Sequence, residues 1–412
     1  MVKEPTEEQS KILQQKGNIV ITAKPGSGKT YTIVEKIARV IPDLPEYKGV
    51  IAISFTNKAS DELKRRCKQR CADTKQSFFG TIDKFYISQI IIPFSSHVTG
   101  NITEYEIVDN IDESSKYALL LEEPFSSKKE SILVEGLQEG KIFLKYTGET
   151  ALYILENVPG AMQYIKARYS HIIIDEYQDC GEIQDKVFIK LVESGLTGIA
   201  VGDINQAIYG FTKRFPKYLI ALMKRDDFAR FELSKNHRCH PSISEYSLCL
   251  FGASKTVPRE KRVFKVDISG DERSIAAAID KYLNQIKDKY GIVRNNQVAI
   301  LCRSNSTAFK VGENLSTPYK IFEETVLDRD NSEWGRFFRD LISARFDESV
   351  FAVDYAEQLF SEELEPQKYR KALALCQSIF SNSFDDFCNA EDKIKELAGL
   401  VYAQKETKVA LN

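Results

Sequence analysis

The sequence predicts an α/β protein: a parallel-sheet domain with a helical insertion, a partial second domain of the same kind, and a helical C-terminal segment. Three observations predict it. Short apolar runs at Ile19–Ile21, Ile172–Ile174 and Ile199–Val201 have the length of buried parallel strands. After the first of them Ile33, Ile37 and Val40/Ile41 recur at helical spacing. From Ser332 onward the pattern is helical, as in EWGRFFRDLISARF, YRKALALCQSIF and EDKIKELAGLVYAQK.

A chain of 412 residues is long for one core, so two or more domains are expected. Residues 1–90 and 165–250 carry the first sheet domain. Residues 91–164 interrupt it with ion-rich helical stretches broken at Pro93, Ser95-Ser96, Pro124 and Pro159-Gly160. Residues 255–330 supply about half of a second α/β domain, with strands expected at Val263–Val266, Val298–Cys302 and Tyr319–Phe322. Residues 331–412 are helical, and Trp334, Phe337, Phe338 and Leu341 read as core or partner-facing packing.

With 43% hydrophobic and 28% charged residues, the composition is that of a soluble globular chain, not a disordered one. The formal charge of −2 advertises no global basic field, so any site for a polyanion must be local. The start has no signal-peptide pattern, and no apolar run is long enough to span a membrane. Eight scattered cysteines without CxxC pairs read as reduced thiols of a cytoplasmic protein. His237, Cys239 and His240 lack a second ligand pair at zinc-site spacing, which argues against a metal there.

The strongest local signal is Ala23-Lys24-Pro25-Gly26-Ser27-Gly28-Lys29-Thr30, a glycine-bearing loop between a strand and a helix. Such a loop aims backbone N–H groups and the positive helix end at a phosphate. Lys29 would reach the outer phosphates and the Thr30 hydroxyl would ligate Mg²⁺, which makes this a nucleoside triphosphate site. The strict pattern has glycine where Ala23 stands. A phosphate loop needs a carboxylate at the end of a neighbouring strand, and HIIIDEYQDC (171–180) supplies it. Asp175 leaves the sheet and can reach the metal; Glu176, one residue on, can take a proton from an attacking water. The bland alternative is a solvated strand end. In GLTGIAVGDINQAIYGF, Gln206 is a neutral amide suited to touch both the γ-phosphate and water. Tyr209 and Phe211 sit two apart and are either core residues or platforms on which bases stack.

In order, these motifs resemble the UvrD/Rep/PcrA type of superfamily 1 DNA helicases over residues 5–325. Gln9, in EPTEEQSKIL, stands where that family has its adenine-reading glutamine. AKPGSGKT resembles the family's phosphate loop, DEYQD and GDINQAIYGF its motifs II and III. SFTNKASDELKRR (54–66) is similar to a segment that contacts single-stranded DNA, which implies Thr56, Asn57 and Lys58 as phosphate contacts; the charges of that helix otherwise read as a solvated face. LSKNHRCHPSI resembles a motif whose arginine approaches the γ-phosphate, here Arg238, and His237 takes the place of an adenine-stacking tyrosine. GTIDKF (80–85) puts Thr81 at a DNA-contact position, but has Ile82 for a base-stacking phenylalanine and Asp83 for a histidine. Thr212 stands where motif III usually has arginine.

The resemblance implies RecA-like domains, ATP and Mg²⁺ as cofactors, single-stranded or partly duplex DNA as a partner, and ATP hydrolysis as the activity. The family's later motifs, including a second arginine, do not occur in residues 325–412. An arginine of that kind contributes about 10³–10⁵ in rate to P-loop enzymes. A truncated chain, an arginine borrowed from a partner, and a weak ATPase used as a switch each account for this. The compact length and the wording DEYQDC and NHRCHPSI also resemble the small UvrD-like subunit of Gabija-type anti-phage defence complexes, which implies an ATP-sensing nuclease subunit as partner. The alternative to a motor is therefore a nucleotide-binding interaction subunit.

Overall fold

The computed structural model describes residues 4–411 except 72, 101–103, 123–124, 205–215, 250–259, 323–326, 328–329, 331, 347–349, 360–365, 384–385 and 388–389. Two compact units divide the chain, Met1–Lys265 and Val266–Asn412.

Eight strands occur among the described residues: β1 (Ile19–Ala23), β2 (Gly49–Ser54), β3 (Phe78–Thr81), β4 (Glu106–Val108), β5 (Lys141–Phe143), β6 (Tyr169–Ile174), β7 (Thr197–Gly202) and β8 (Ala229–Leu233). Six form one sheet in the order β3-β2-β6-β7-β1-β8, and every pairing in it is parallel. A parallel sheet is covered on both faces, so its strands need apolar residues at consecutive positions. The three isoleucines of β6 meet that need: Ile172 and Ile174 pack in one layer with Ile51, Ile53 and Ala200, while Ile173 packs in the other with Ile19, Ile21, Ile199 and Val201. Because all six strands run the same way, their carboxyl ends share one edge, where ligands of such sheets bind.

Three helices complete that edge: α1 (Glu7–Gln14), α2 (Lys29–Val40) and α3 (Asn57–Arg70). Thr6 and Gln9 close α1 with a capping box. At its other end the buried Lys36 of α2 donates to the carbonyls of Ile12 and Leu13, so α1 is pinned beside α2.

Residues 91–164 are expected to be helical; the helices Ser127–Gln138 and Thr147–Asn157 lie there, and Pro159–Arg168 starts there and runs past its end. The same stretch also contains the parallel pair β4 and β5, whose three-residue strands are too short to show a period in sequence.

The second unit is built from the helices Glu272–Tyr290, Asn305–Glu313, Glu333–Phe346, Ala352–Leu359, Pro366–Ser381 and Glu391–Leu411. Its core gathers Phe337, Leu341, Tyr355, Cys376, Ile379 and Leu397. The strands expected at Val263–Val266, Val298–Cys302 and Tyr319–Phe322 do not form: those residues join no ladder. A β-strand is held by hydrogen bonds to a neighbour, and apolar sequence alone does not provide one. Among the described residues, no helix is long and apolar enough to cross a membrane.

Candidate functional site

The loop after β1 is shaped by two glycines in left-handed backbone, Gly26 (φ +72°) and Gly28 (φ +91°), a conformation in which a side chain is strained. Their neighbours leave no room either. A Cβ on Gly28 would stand 2.8 Å from Gln9 Nε2, and one on Gly26 would stand 2.9 Å from both Arg238 Cβ and Asn236 Nδ2. Ser27 between them is buried, and its Oγ has no hydrogen-bond partner. The loop leads into α2 at Lys29, with Thr30 in its first turn.

Across the same edge β6 ends. Asp175 N–H still bonds the Ile53 carbonyl at 3.0 Å, after which the chain turns out of the sheet. Asp175 is 8% exposed. Burial, reinforced by the neighbouring Glu176, pushes its carboxyl up to about 6 against the opposing pull of Lys29. A cation beside it would reverse that shift. Glu176 takes left-handed backbone (φ 56°, ψ 41°), a conformation that costs a non-glycine residue about 1–2 kcal/mol. Its Oε2 accepts from Lys29 Nζ at 2.6 Å and from Gln178 Nε2 at 2.8 Å. The loop lysine and the Glu176 carboxylate thus meet directly.

The donors fit a nucleotide triphosphate with Mg²⁺. The glycine cradle admits no side chain, and the Ser27 hydroxyl is an orphaned polar group inside it. A hydroxyl (Thr30) and a buried carboxylate (Asp175) are the hard oxygen ligands that Mg²⁺ takes, leaving its other positions to water and phosphate.

Gln9 is buried and abuts the loop: its Oε1 accepts from Thr6 N–H at 2.9 Å, and its Nε2 lies 3.5 Å from the Ser27 carbonyl. Ala23 is the buried last residue of β1, and the Pro25 carbonyl accepts from Asn236 Nδ2 at 2.7 Å. His237 N–H donates to the Gly26 carbonyl at 2.8 Å. Arg238 is exposed next to Gly26, its own N–H bonded to Asn236 Oδ1 at 2.9 Å. Gln206, Tyr209 and Phe211 lie outside the described residues.

Thr56, Asn57 and Lys58 are exposed at the carboxyl end of β2, on the edge that carries the glycine loop. Thr56 caps α3, its Oγ1 accepting from Ala59 N–H at 3.2 Å. Farther along α3, Glu62 holds both Arg65 and Arg66, which draw its carboxyl down to about 2, and Arg70 pairs with the buried Glu35 at 2.6 Å. Three of the helix's basic groups therefore have ion-pair partners within the fold. Thr81 ends β3 and caps the next short helix through Lys84 N–H at 3.4 Å. Ile82 is buried in the core and Asp83 accepts from Thr147 Oγ1 at 2.6 Å, so neither is presented as a base platform.

Two residues at this edge escaped the sequence reading. Asn236 ties its own turn together, accepting from the N–H groups of Arg238 and Cys239, and fastens that turn to the glycine loop. An asparagine opening a turn was the available signal. Gln178 bridges Glu176 to the end of β7, where its Oε1 accepts from Asp203 N–H at 2.9 Å.

Residues 7–212 match the AAA domain family, half of the chain. The Gabija protein GajB of Bacillus cereus (strain VD045) is 29% identical over 331 residues, covering 77% of this chain and 64% of that protein. DNA helicase II of Haemophilus influenzae is 26% identical over 392 residues, 81% of this chain and 53% of its own length. An ATP-dependent DNA helicase PcrA of Staphylococcus aureus (strain Mu50) is 26% identical over 248 residues, 50% of this chain and 34% of that helicase. The chain thus spans from about a third to just under two thirds of these relatives. The chain belongs to the AAA domain family and is related to the UvrD-like superfamily 1 helicases.

Proposed function

We propose that the chain is an ATP- and Mg²⁺-dependent, DNA-binding ATPase of the UvrD-like helicase type. The observation that carries this is the 2.6 Å contact between Lys29 Nζ and Glu176 Oε2 at the edge where β1 and β6 end. It sets the phosphate-reaching cation and the water-activating base in one place, with the Asp175 carboxylate beside them.

In this reading the glycine-loop amides and Lys29 hold the outer phosphates, and Thr30 and Asp175 hold the metal, which when bound neutralises charge on the phosphates. On arrival of a phosphate Lys29 leaves Glu176, and the freed carboxylate accepts the proton of a water at Oε2. Arg238, whose Cβ lies beside Gly26, would bring its guanidinium to the same phosphates, and Gln9 and His237 would flank the base of the nucleotide. Gln206 completes the contacts to the γ-phosphate and water. Thr56, Asn57, Lys58 and Thr81, with Tyr209 and Phe211, form the track for single-stranded or partly duplex DNA. Residues 1–90 and 165–250 act as the first motor domain, 91–164 as its insertion, and 255–330 and 331–412 as parts of the second. The chain works in the cytoplasm.

The likeness to a Gabija protein over 77% of this chain favours a second reading. There the nucleotide site is a switch in an antiviral defence complex with an ATP-sensing nuclease subunit, and DNA is not unwound by this chain.

The test is ATP hydrolysis by the full chain with and without single-stranded DNA at low salt. The first reading expects stimulation by DNA and its loss in Lys29→Ala, with a fall of about 10³ or more in rate. Unchanged turnover in Lys29→Ala would remove the site assignment. Nucleotide binding with little turnover, whether or not DNA is added, selects the switch.

A further inference from the structure

We propose that α1 braces the turn at residues 234–238 against the phosphate loop, with Glu8 as the positioning residue that sets how strongly Arg238 favours a third phosphate. The inference rests on the nucleotide reading above and deepens it.

The loop after β1 and the turn after β8 leave the sheet side by side, because β1 and β8 are neighbouring parallel strands. Their pairing continues beyond Ala23. Lys24 N–H donates to the Leu233 carbonyl at 2.9 Å, Asn236 Nδ2 to the Pro25 carbonyl at 2.7 Å, and His237 N–H to the Gly26 carbonyl at 2.8 Å. Between Leu233 and Asn236 the acceptor comes from another element. Glu8 of α1, 226 residues away in sequence, takes Ser234 N–H on Oε2 at 3.0 Å and the Ser234 hydroxyl on Oε1. Burial alone would push the Glu8 carboxyl up, but the bonds from Ser234 and Lys235 and the nearness of His237 outweigh it and hold the group below its ordinary value. The turn is thus held from two sides, by the loop and by a carboxylate fork.

A carboxylate positions a turn only if its own helix is fixed. Eight residues are too few for a helix to persist by itself in water, so α1 owes its place to its neighbours. Ile12 and Leu13 are buried. At the first turn Gln9 closes the capping box, and its Nε2 lies 3.5 Å from the Ser27 carbonyl. At the last turn the buried Lys36 donates to the carbonyls of Ile12 at 3.2 Å and Leu13 at 3.3 Å and to that of Gln15, groups that find no partner within a helix end. Lys36 belongs to α2, which begins at Lys29, so α1 and the phosphate-binding helix form one block.

Arg238 roots beside the loop: a Cβ on Gly26 would stand 2.9 Å from its Cβ. A long exposed side chain magnifies a shift of its root, and a bond to a phosphate oxygen weakens steeply with distance and angle. Glu8 therefore acts on the third phosphate through the placement of Arg238 and not by contact of its own.

The full chain is tested with AMP-PNP and ADP, each with Mg²⁺, and the ratio of the two affinities measures the preference for a third phosphate. Arg238→Ala should lower that preference about tenfold. Glu8→Ala should lower it about fivefold or more, and adding it to Arg238→Ala should lower it no further, since a residue that acts through Arg238 has nothing left to place. In Glu8→Gln the amide oxygen still accepts from Ser234 N–H and the nitrogen donates to the Ser234 hydroxyl, so the preference should stay within about twofold of wild type. Amide exchange at His237 reads the brace without nucleotide, and should rise about fivefold or more in Glu8→Ala but not in Glu8→Gln. Ser234→Ala removes one arm of the fork and should show a smaller loss of the same kind; it carries the test if circular dichroism shows that Glu8→Ala fails to fold.

A folded Glu8→Ala that keeps the wild-type preference while Arg238→Ala loses it overturns the inference. So do losses that add in the double variant, and a Glu8→Gln that behaves as Glu8→Ala does. If the wild type binds neither nucleotide, or Arg238→Ala keeps the preference, the phosphate role of Arg238 in the nucleotide reading falls. The brace is then decided by exchange alone: raised exchange at His237 in Glu8→Ala upholds it, and unchanged exchange overturns it.

Discussion

Ile172, Ile173 and Ile174 in the first unit and Ala299, Ile300 and Leu301 in the second are runs of similar apolar character with opposite fates. The first run is sealed between two layers, and its strand, β6, is bonded to β2 on one side and β7 on the other. The second lies open, with Leu301 94% exposed, and Phe322 in the Tyr319–Phe322 segment is 88% exposed. These segments and the helices Glu272–Tyr290 and Asn305–Glu313 line an apolar cleft of about 630 Å³. The difference is lateral. In the first unit each strand has neighbours that take its backbone groups, and helices then cover both faces. In the second unit the helices pack but the described residues form no ladder, so apolar side chains gain nothing from lying in line.

The comparison is broken most directly in the sealed run. Ile174 is fully buried, in register with Ile53 and Ala200. Ile174→Ala should destabilise the first unit by about 3–5 kcal/mol, because the packed layer can close only partly around the cavity. The chain's single tryptophan, Trp334, lies in the second unit, so its fluorescence follows that unit alone. Urea unfolding should show the loss in far-ultraviolet circular dichroism while the tryptophan transition stays in place. A joint shift of both signals would mean that the two units unfold together.

Acid sharpens the same contrast with a somewhat smaller effect. His171 of β6 is held neutral: burial, with Lys36 nearby, pulls it down to about 4 from the ordinary 6.5, and its Nδ1 lies 2.8 Å from Ser170 Oγ. The unfolded chain binds this proton below pH 6.5 and the folded chain only below about pH 4. Between those values the unfolded state holds more protons, so stability rises with pH. The first unit should lose on the order of 3 kcal/mol from this group as pH falls through that window. Denaturation at pH 7 and pH 4.5 checks it, and His171→Asn, which cannot titrate, should flatten the difference. An equally steep loss in the variant would assign the acid sensitivity elsewhere.

What was legible in the sequence follows the same physics. The β6 run ending in Asp175 and Glu176 could be read because the switch from apolar to acidic is local, and the glycine loop because its strand, turn and helix are consecutive. Gln178 and Asn236 could not be assigned roles. Their partners, Asp203 and Pro25, lie 25 and 211 residues away, and nothing in an isolated amide names the backbone group it will bind. Ile82 shows the converse. Its replacement of an aromatic residue was visible, but that it faces the core alongside Phe85 is set by the packing of β3 and not by its neighbours in sequence. The strands expected at Val298–Cys302 and Tyr319–Phe322 failed for the reason the two runs differ: a period reports which side chains are apolar, not whether a partner strand is present.

Leu301→Ser gives the smallest expected effect and the finest discrimination. A side chain that is already 94% exposed has almost no transfer free energy to lose, so the substitution should change the stability of the second unit by less than about 0.5 kcal/mol. It removes one large apolar group from an open apolar patch, so the surface should bind a hydrophobic dye less while the Trp334 unfolding transition is unmoved. Dye binding and urea unfolding measured on one preparation separate the two effects. A cost of 2 kcal/mol or more, with the first unit unaffected, would mean that Leu301 is buried in solution and that Val298–Cys302 is paired there. The contrast with β6 would then be one of partners that differ in kind, and no longer of a ladder that one unit has and the described residues of the other do not.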